Sequence, residues 1–161
     1  MSDVIGIHHV AIAVPDIELA RRFYVDILGF EDAKISAWEA GNKYIDDIVG
    51  LKDSAGKSFM CRAPNCYIEV FQYTSPPPGP QDPKRPVNEY GYTHFGMQVK
   101  DIQKVYDRLT EAGLTFHVAP ERMVTDASGN RVGFSATYGR DFFGNVFEIM
   151  EIREGSSIRP L

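Results

Sequence analysis

Apolar and polar positions alternate in the stretch "HHVAIAV", residues 8–14. Val10, Ile12 and Val14 fall on one face, and His9, Ala11 and Ala13 on the other, the pattern of a half-buried strand. "PD" at Pro15–Asp16 ends it, and Asp16 is placed to cap a helix. In that helix Ile17, Ala20, Phe23, Tyr24, Ile27 and Leu28 share a face, and Gly29 stands where a helix closes. The large aliphatic face of the strand is expected beneath this helix. "FEDAKISAWEA" reads as a strand, "KYIDDIVGLKDSAGKSFMCRA" as an irregular segment or short helix followed by a strand, and "NCYIEVFQY" as a strand.

The same signals then start again. Phe95, Met97 and Val99 alternate with His94, Gly96 and Gln98. Asp101 predicts a cap on a helix through Leu109, with Gly113 ending it. "TFHVAPERM" reads as a strand or sheet edge. "VGFSATYGRDFFGNVFEIMEI" reads as a hairpin that turns at Asp141–Asn145, its last strand running from Val146 to Ile152. Between the halves lies "TSPPPGPQDPKRPVNEYG", with six prolines and two glycines, which no helix interior or central strand accommodates. It reads as a long extended connection, either a plain linker or a lid over a pocket.

The two halves are an internal repeat. His9 and His94 are offset by 94 − 9 = 85, and Asp16 and Asp101 by the same 85. The glycines that end the helices are offset by 113 − 29 = 84. Each half closes on an apolar strand with a lone acid, Glu69 in "IEVF" and Glu148 in "FEIM", offset by 148 − 69 = 79. Each half thus reads strand, helix, then three strands.

The repeat turns a fold pattern into a chemical one. Around His9 and His94 the residues on the same face are small, namely Ala11, Ala13 and Gly96. Small residues beside a histidine leave a hollow. An unpaired carboxylate in a core costs several kcal/mol, and no Lys or Arg lies within two residues of Glu69. One divalent cation would satisfy His9, Glu69, His94 and Glu148 together. Two imidazoles and two carboxylates suit Zn, Ni, Co, Mn or Fe better than Ca or Mg. Taken singly, each of these residues reads more simply as an ordinary core or surface side chain; the matched pairing favours ligands. His8, of opposite parity, is expected on the other face, near the surface.

Composition sets the outer bounds. The 161 residues are enough for one domain with two small halves, and 43% hydrophobic with 24% charged is an ordinary globular balance. A net charge of −5 without a basic run argues against nucleic acid or an anionic membrane as a partner. The N-terminal residues lack the pattern of a signal peptide, and no apolar run reaches the roughly 20 residues of a membrane helix. Cys61 and Cys66 have no second ligand pair at zinc spacing and are expected to be reduced thiols of a cytoplasmic protein.

With these residues in place, the chain resembles the vicinal oxygen chelate superfamily of glyoxalases, epimerases, extradiol dioxygenases and fosfomycin and bleomycin resistance proteins. "HHVAIAVPDIELARRFYVDILGF", "THFGMQVKDI" and "DFFGNVFEIMEI" resemble its recurring signatures, the first being closest to methylmalonyl-CoA epimerase. The resemblance spans roughly residues 5–152 and implies an α+β fold: two βαβββ modules whose sheets form a cup around a metal. Module one would be 5–73, the connection 74–91, module two 92–152 and a tail 153–161. The family's ligand positions fall on His9, Glu69, His94 and Glu148, and a homodimer is the family expectation.

The resemblance implies a metal-dependent isomerase or lyase. It would hold a small-molecule substrate through adjacent oxygens and move a proton next to a carbonyl, with Glu148 and Glu69 as acid and base. Glu69 stands where the epimerase has Gln, and the Asn-Trp-Gly stretch of glyoxalase I has no match in "FQYTSPPPG". A ferrous ring-cleaving dioxygenase and a metal-free binding or resistance protein are the alternatives. His117, Tyr138 and Arg140 are candidates to meet the substrate, with Asn145 near them. Trp38, Phe71, Tyr73 and Tyr92 are candidates for an aromatic wall.

Overall fold

The computed structural model describes residues 3–120, 127–129 and 132–161. The chain divides into two compact units, Met1–Gln81 and Asp82–Leu161, and the division falls inside the proline-rich connection.

In the first unit, strand β1 (His9–Ala13) leads through Asp16 into helix α1 (Ile17–Arg21), which widens into π-helical turns over Arg22–Ile27. Strand β2 (Ser36–Trp38), helix α2 (Lys43–Val49), strand β3 (Ala55–Arg62) and strand β4 (Tyr67–Ser75) follow. The sheet order is β1-β4-β3-β2, with β1 parallel to β4 and the other pairs antiparallel. The second unit repeats the plan with β5 (His94–Gln98), α3 (Ile102–Glu111), β6 (Thr115–Phe116), β7 (Phe134–Arg140) and β8 (Val146–Ile152), in the order β5-β8-β7-β6. Only Thr115 and Phe116 of "TFHVAPERM" are strand, and its residues 121–123 lie outside the described residues. The fold is α+β: two four-stranded mixed sheets, each a βαβββ module, with α2 as an addition to the first.

The two repeat-related helix starts, of α1 and α3, follow one rule. Asp16 accepts hydrogen bonds from the backbone N–H of Glu18 and Leu19, and Asp101 accepts one from Lys104. The next orphan donor is met from the sheet. Ile17 N–H donates to Gln72 Oε1 and Ile102 N–H to Glu151 Oε2, both at 3.1 Å. Gln72 and Glu151 are offset by 151 − 72 = 79, like the two candidate glutamates. Glu151 also pairs with Arg153, which accounts for that arginine within its own strand end. Gly29 (φ +79°) and Gly113 (φ +94°) close the helices in the left-handed conformation that a side chain disfavours.

Each core lies between its helix and its central strand. Ile17, Ala20, Phe23 and Tyr24 are buried against a sheet face carrying Phe59, Cys61, Ile68 and Val70. Ile102 and Leu109 are buried with Phe147 and Ile149 in the second unit. Alternation along β4 and β8 turns Glu69 and Glu148 to the opposite face. The expectation that the aliphatic face of β1 lies beneath the helix is corrected at Val10, which is 38% exposed. The cause is sheet order: β1 is an edge strand, and α1 packs on β4 instead.

Candidate metal centre

Strand register builds two equivalent pairs. In the parallel ladder Ala11 stands opposite Glu69, and Gly96 opposite Glu148. Each histidine lies two residues before the small one, on the same face, and reaches diagonally to the glutamate. His9 Nε2 comes to 3.3 Å from Glu69 Oε2, and His94 Nε2 to 3.5 Å from Glu148 Oε2. The small residues are what this reach requires. A Cβ on Gly96 would come within 3.1 Å of Glu148 Oε2.

The burial is partial and differs between the pairs. Side-chain exposure is 40% and 23% for His9 and Glu69, and 26% and 13% for His94 and Glu148. Among the described residues no lysine or arginine pairs with either carboxylate.

The other ring nitrogens are also engaged. His94 Nδ1 lies 2.9 Å from Thr93 Oγ1, and His9 Nδ1 lies 3.0 Å from His8 Nδ1. When Nδ1 carries the proton, Nε2 presents a lone pair to a carboxylate oxygen, and two acceptors facing each other need a cation between them. The spacing agrees. Two ligands each about 2.1 Å from one ion stand roughly 3.0 Å apart at a right angle and roughly 3.4 Å apart at the tetrahedral angle. Each pair therefore fits two ligands of one transition-metal ion. Among the described residues no group of three or more His, Cys, Asp or Glu side chains is arranged to hold an ion, so the four candidates come together two by two.

The surroundings differ between the units. On the Glu69 face of β4, Phe71 stacks on Tyr73 at 5.6 Å, and both meet Trp38 edge-on at 6.1 and 5.5 Å. Helix α2 anchors this wall. Trp38 Nε1 donates to Ser54 Oγ, while the Ser54 and Asp53 N–H groups donate to Asp46. The Ser54 hydroxyl first, and then these backbone N–H groups, hold the Asp46 carboxyl below its ordinary range. Burial, and then the charge of Glu69, push the Tyr73 phenol up. In the second unit Tyr138 stands opposite Glu148 in the ladder, with its ring 4.5 Å from His94 and 6.0 Å from His117. The candidates Trp38, Phe71 and Tyr73 thus flank Glu69, and His117 and Tyr138 flank the other pair.

Of the remaining candidates, Arg140 shares the Tyr138 face of β7, but its donors are engaged by backbone. Arg140 donates to the backbone carbonyls of Gly144, Pro83 and Arg85, which holds residues 83–85 against the turn after β7. A Cβ on Gly144 would strike Pro83 at 2.3 Å. Asn145 braces the same turn through Asp141, and burial raises the Asp141 carboxyl against those hydrogen bonds. Tyr92 is fully exposed. A cavity of about 260 Å³ in the first unit is lined by Arg62, Cys66, Tyr67 and His8, and none of the four candidate ligands lines it. Cys61 and Cys66 are free thiols.

What sequence reading passed over is the residue before each histidine. His8 reads as a surface residue, yet it meets the ring of its neighbour, as Thr93 does in the second unit. The repeat carried the signal, because 93 − 8 equals 85.

Comparison with known proteins agrees with this architecture. The model of the Glyoxalase/Bleomycin resistance protein/Dioxygenase superfamily matches residues 6–149. A 2-epi-5-epi-valiolone epimerase from an Actinomyces species is 27% identical over 138 residues, covering 83% of this chain and 74% of the relative. Among solved structures, a glyoxalase family protein from Bacillus cereus superposes with a TM-score of 0.79 at 21% identity, over 93% of this chain and 95% of that one. The fosfomycin resistance protein FosX from Listeria monocytogenes, solved with Mn(II) and sulfate, gives a TM-score of 0.56 at 15% identity over 94% and 95%.

Proposed function

The chain belongs to the Glyoxalase/Bleomycin resistance protein/Dioxygenase superfamily, and on that premise we propose that it is a divalent-metal-dependent isomerase of the epimerase kind. The substrate class we assign is a small carbonyl compound with an oxygen on the adjacent carbon, whose configuration at that carbon is inverted. The observation that carries this reading is the pair of repeat-related His–Glu contacts, each with Nε2 facing a carboxylate oxygen that, among the described residues, has no cationic side chain paired with it. The epimerase relative supports the reaction class.

His9, Glu69, His94 and Glu148 would hold the ion. A divalent metal there supplies Lewis-acid stabilisation of the oxyanion that develops when a carbon next to a carbonyl loses its proton. The chain's own groups move the proton. One glutamate accepts it from one face of the carbon, and the other returns one to the opposite face, so the protons balance and only the configuration changes. Two carboxylates in unlike surroundings suit unlike roles, and Glu148 is the less exposed. Trp38, Phe71 and Tyr73 offer an apolar wall, while Tyr138 and His117 offer hydrogen bonds to substrate oxygens. Strands β1 and β5 each stand at a sheet edge, an open pairing surface that supports a homodimer. No helix among the described residues is long and apolar enough to cross a membrane, and the free thiols support a cytoplasmic setting.

The test joins metal analysis to proton exchange. Protein purified without added metal, beside His94→Ala, is analysed for bound metal by mass spectrometry and then incubated with α-hydroxyketones in D2O. About one equivalent of Zn, Ni, Co or Mn, lost in the variant, together with deuterium entering the carbon next to the carbonyl, is the expected result. Iron with oxygen uptake would replace the isomerase with a dioxygenase. No metal, even after reconstitution, would leave a binding protein.

A further inference from the structure

Two unlike residues make the same contact at equivalent positions. His8 and Thr93 are offset by 93 − 8 = 85, as are the histidines that follow them. His8 Nδ1 approaches His9 Nδ1 at 3.0 Å, and Thr93 Oγ1 approaches His94 Nδ1 at 2.9 Å. Both contacts fall on the ring nitrogen turned away from the carboxylate. Neither partner is loosely held. The His8 ring stacks on Tyr67 at 4.8 Å with 13° between planes, and Tyr67 is the residue opposite His9 in the ladder. Thr93 is β-branched, so few rotamers are open to it.

We propose that His8 and Thr93 are positioning residues, each accepting the Nδ1 proton of the next histidine so that Nε2 is the nitrogen left free for the ion. The inference rests on His9 and His94 being ligands. A neutral imidazole has one donor and one acceptor nitrogen, so fixing the donor fixes the acceptor. Partners of this kind orient ligand rings and raise their basicity, and removing one typically costs 10–100-fold in metal affinity. The imidazole of His8 and the hydroxyl of Thr93 serve the same role, which makes each module a source of a rescue variant for the other.

The test measures Zn2+ affinity by competition with a chromogenic chelator on the full chain. It also reads the His9 and His94 tautomers by long-range 1H–15N NMR on the metal-free protein. Thr93→Val and His8→Phe, which keep shape and stacking, are each expected to weaken Zn2+ binding by about 10–100-fold. Both should also lose the Nδ1–H tautomer at the neighbouring histidine. Thr93→Ser and His8→Thr are expected to restore both readouts. Wild-type affinity and tautomer in Thr93→Val and His8→Phe would overturn the proposal, and so would losses that the hydroxyl variants do not rescue. A wild-type chain that binds no Zn2+ would refute the proposed function instead. The tautomer readout then decides the positioning role alone: a shift in Thr93→Val upholds it, and none overturns it.

Discussion

Set side by side, the two modules agree in backbone and disagree in lining. Both place a histidine two residues before a small one on an edge strand, with a glutamate across the ladder. Around that frame the choices diverge. Ala11 answers Gly96, and His8 answers Thr93. Met60 stands opposite Glu69 where Tyr138 stands opposite Glu148. Even the core is exchanged. Cys61 stands opposite Ile68 in the first module, whereas Gly139 stands opposite Phe147 in the second, the smaller residue facing the larger. Register fixes where the proposed ligands are, and packing around them is free to differ. The lining, not the ligand frame, is therefore where the two faces of a substrate would be told apart.

The largest effect is expected where this division matters most. If each glutamate serves one face of the reacting carbon, Glu148→Gln and Glu69→Gln should not be equivalent. Each should suppress deuterium wash-in from one epimer by about 10²–10⁴-fold, the usual worth of a positioned acid or base. Deuterium uptake from each pure epimer, with bound metal measured in parallel, checks this. Equal suppression of both epimers by one variant, with the other active, would assign all proton transfer to a single module. Equal loss of activity and metal in both would leave the carboxylates as ligands only.

Much of the frame was legible because strand and helix periods differ and the repeat doubled every signal. His9 with His94, Asp16 with Asp101 and Glu69 with Glu148 are visible as spacings. What stayed hidden depends on sheet order and side-chain reach. Sequence parity placed Val10 under the helix, but β1 is an edge strand and α1 packs on β4. Gln72 and Glu151 close the helix starts from across the sheet, a contact no local pattern announces. Arg140 reads as a candidate to meet the substrate or as a surface arginine, and the sequence does not show that its donors reach the carbonyls of Pro83, Arg85 and Gly144. Thr93 and His8 are unlike as residues, so only their common contact reveals their kinship.

The core exchange predicts the next effects in size. A Cβ on Gly139 would meet the Phe147 ring at 2.5 Å and the Phe116 ring at 2.9 Å, neither of which can yield easily. Gly139→Ala is therefore expected to cost about 1–3 kcal/mol, the usual range for an overpacked core, measured by urea denaturation. Coupling it to Phe147→Ile, which copies the first module, should recover part of that loss; simple additivity would show that the two modules do not exchange volume as described. At the site, Gly96→Ala brings a Cβ to 3.1 Å from Glu148 Oε2, at the end of a movable side chain. It should leave stability nearly unchanged and lower metal affinity by about tenfold, near the low end of what a misplaced ligand costs. Ala11→Gly should do the reverse, costing roughly 0.5–1 kcal/mol of stability with metal affinity kept.

The last effect tests the buried sulfur that only the first module has. Burial pushes the Cys61 thiol from its ordinary 9.0 up to about 11. The folded chain holds that proton more tightly than the unfolded chain, so its contribution is whole below pH 9 and is lost as pH rises toward 11. By pH 10 the loss is on the order of 1 kcal/mol. Denaturation of the wild type and of Cys61→Ala at pH 8 and pH 10 should give a smaller pH-dependent decline in the variant, because the other titrating groups are common to both. Cys66 is half-exposed and is left in place as the internal control. An identical decline in both proteins would mean that Cys61 ionises in the folded chain as it does in the unfolded one. The sulfur would then be reached by water in the folded chain, and the small-against-large packing of Cys61 on Ile68 would not keep it dry.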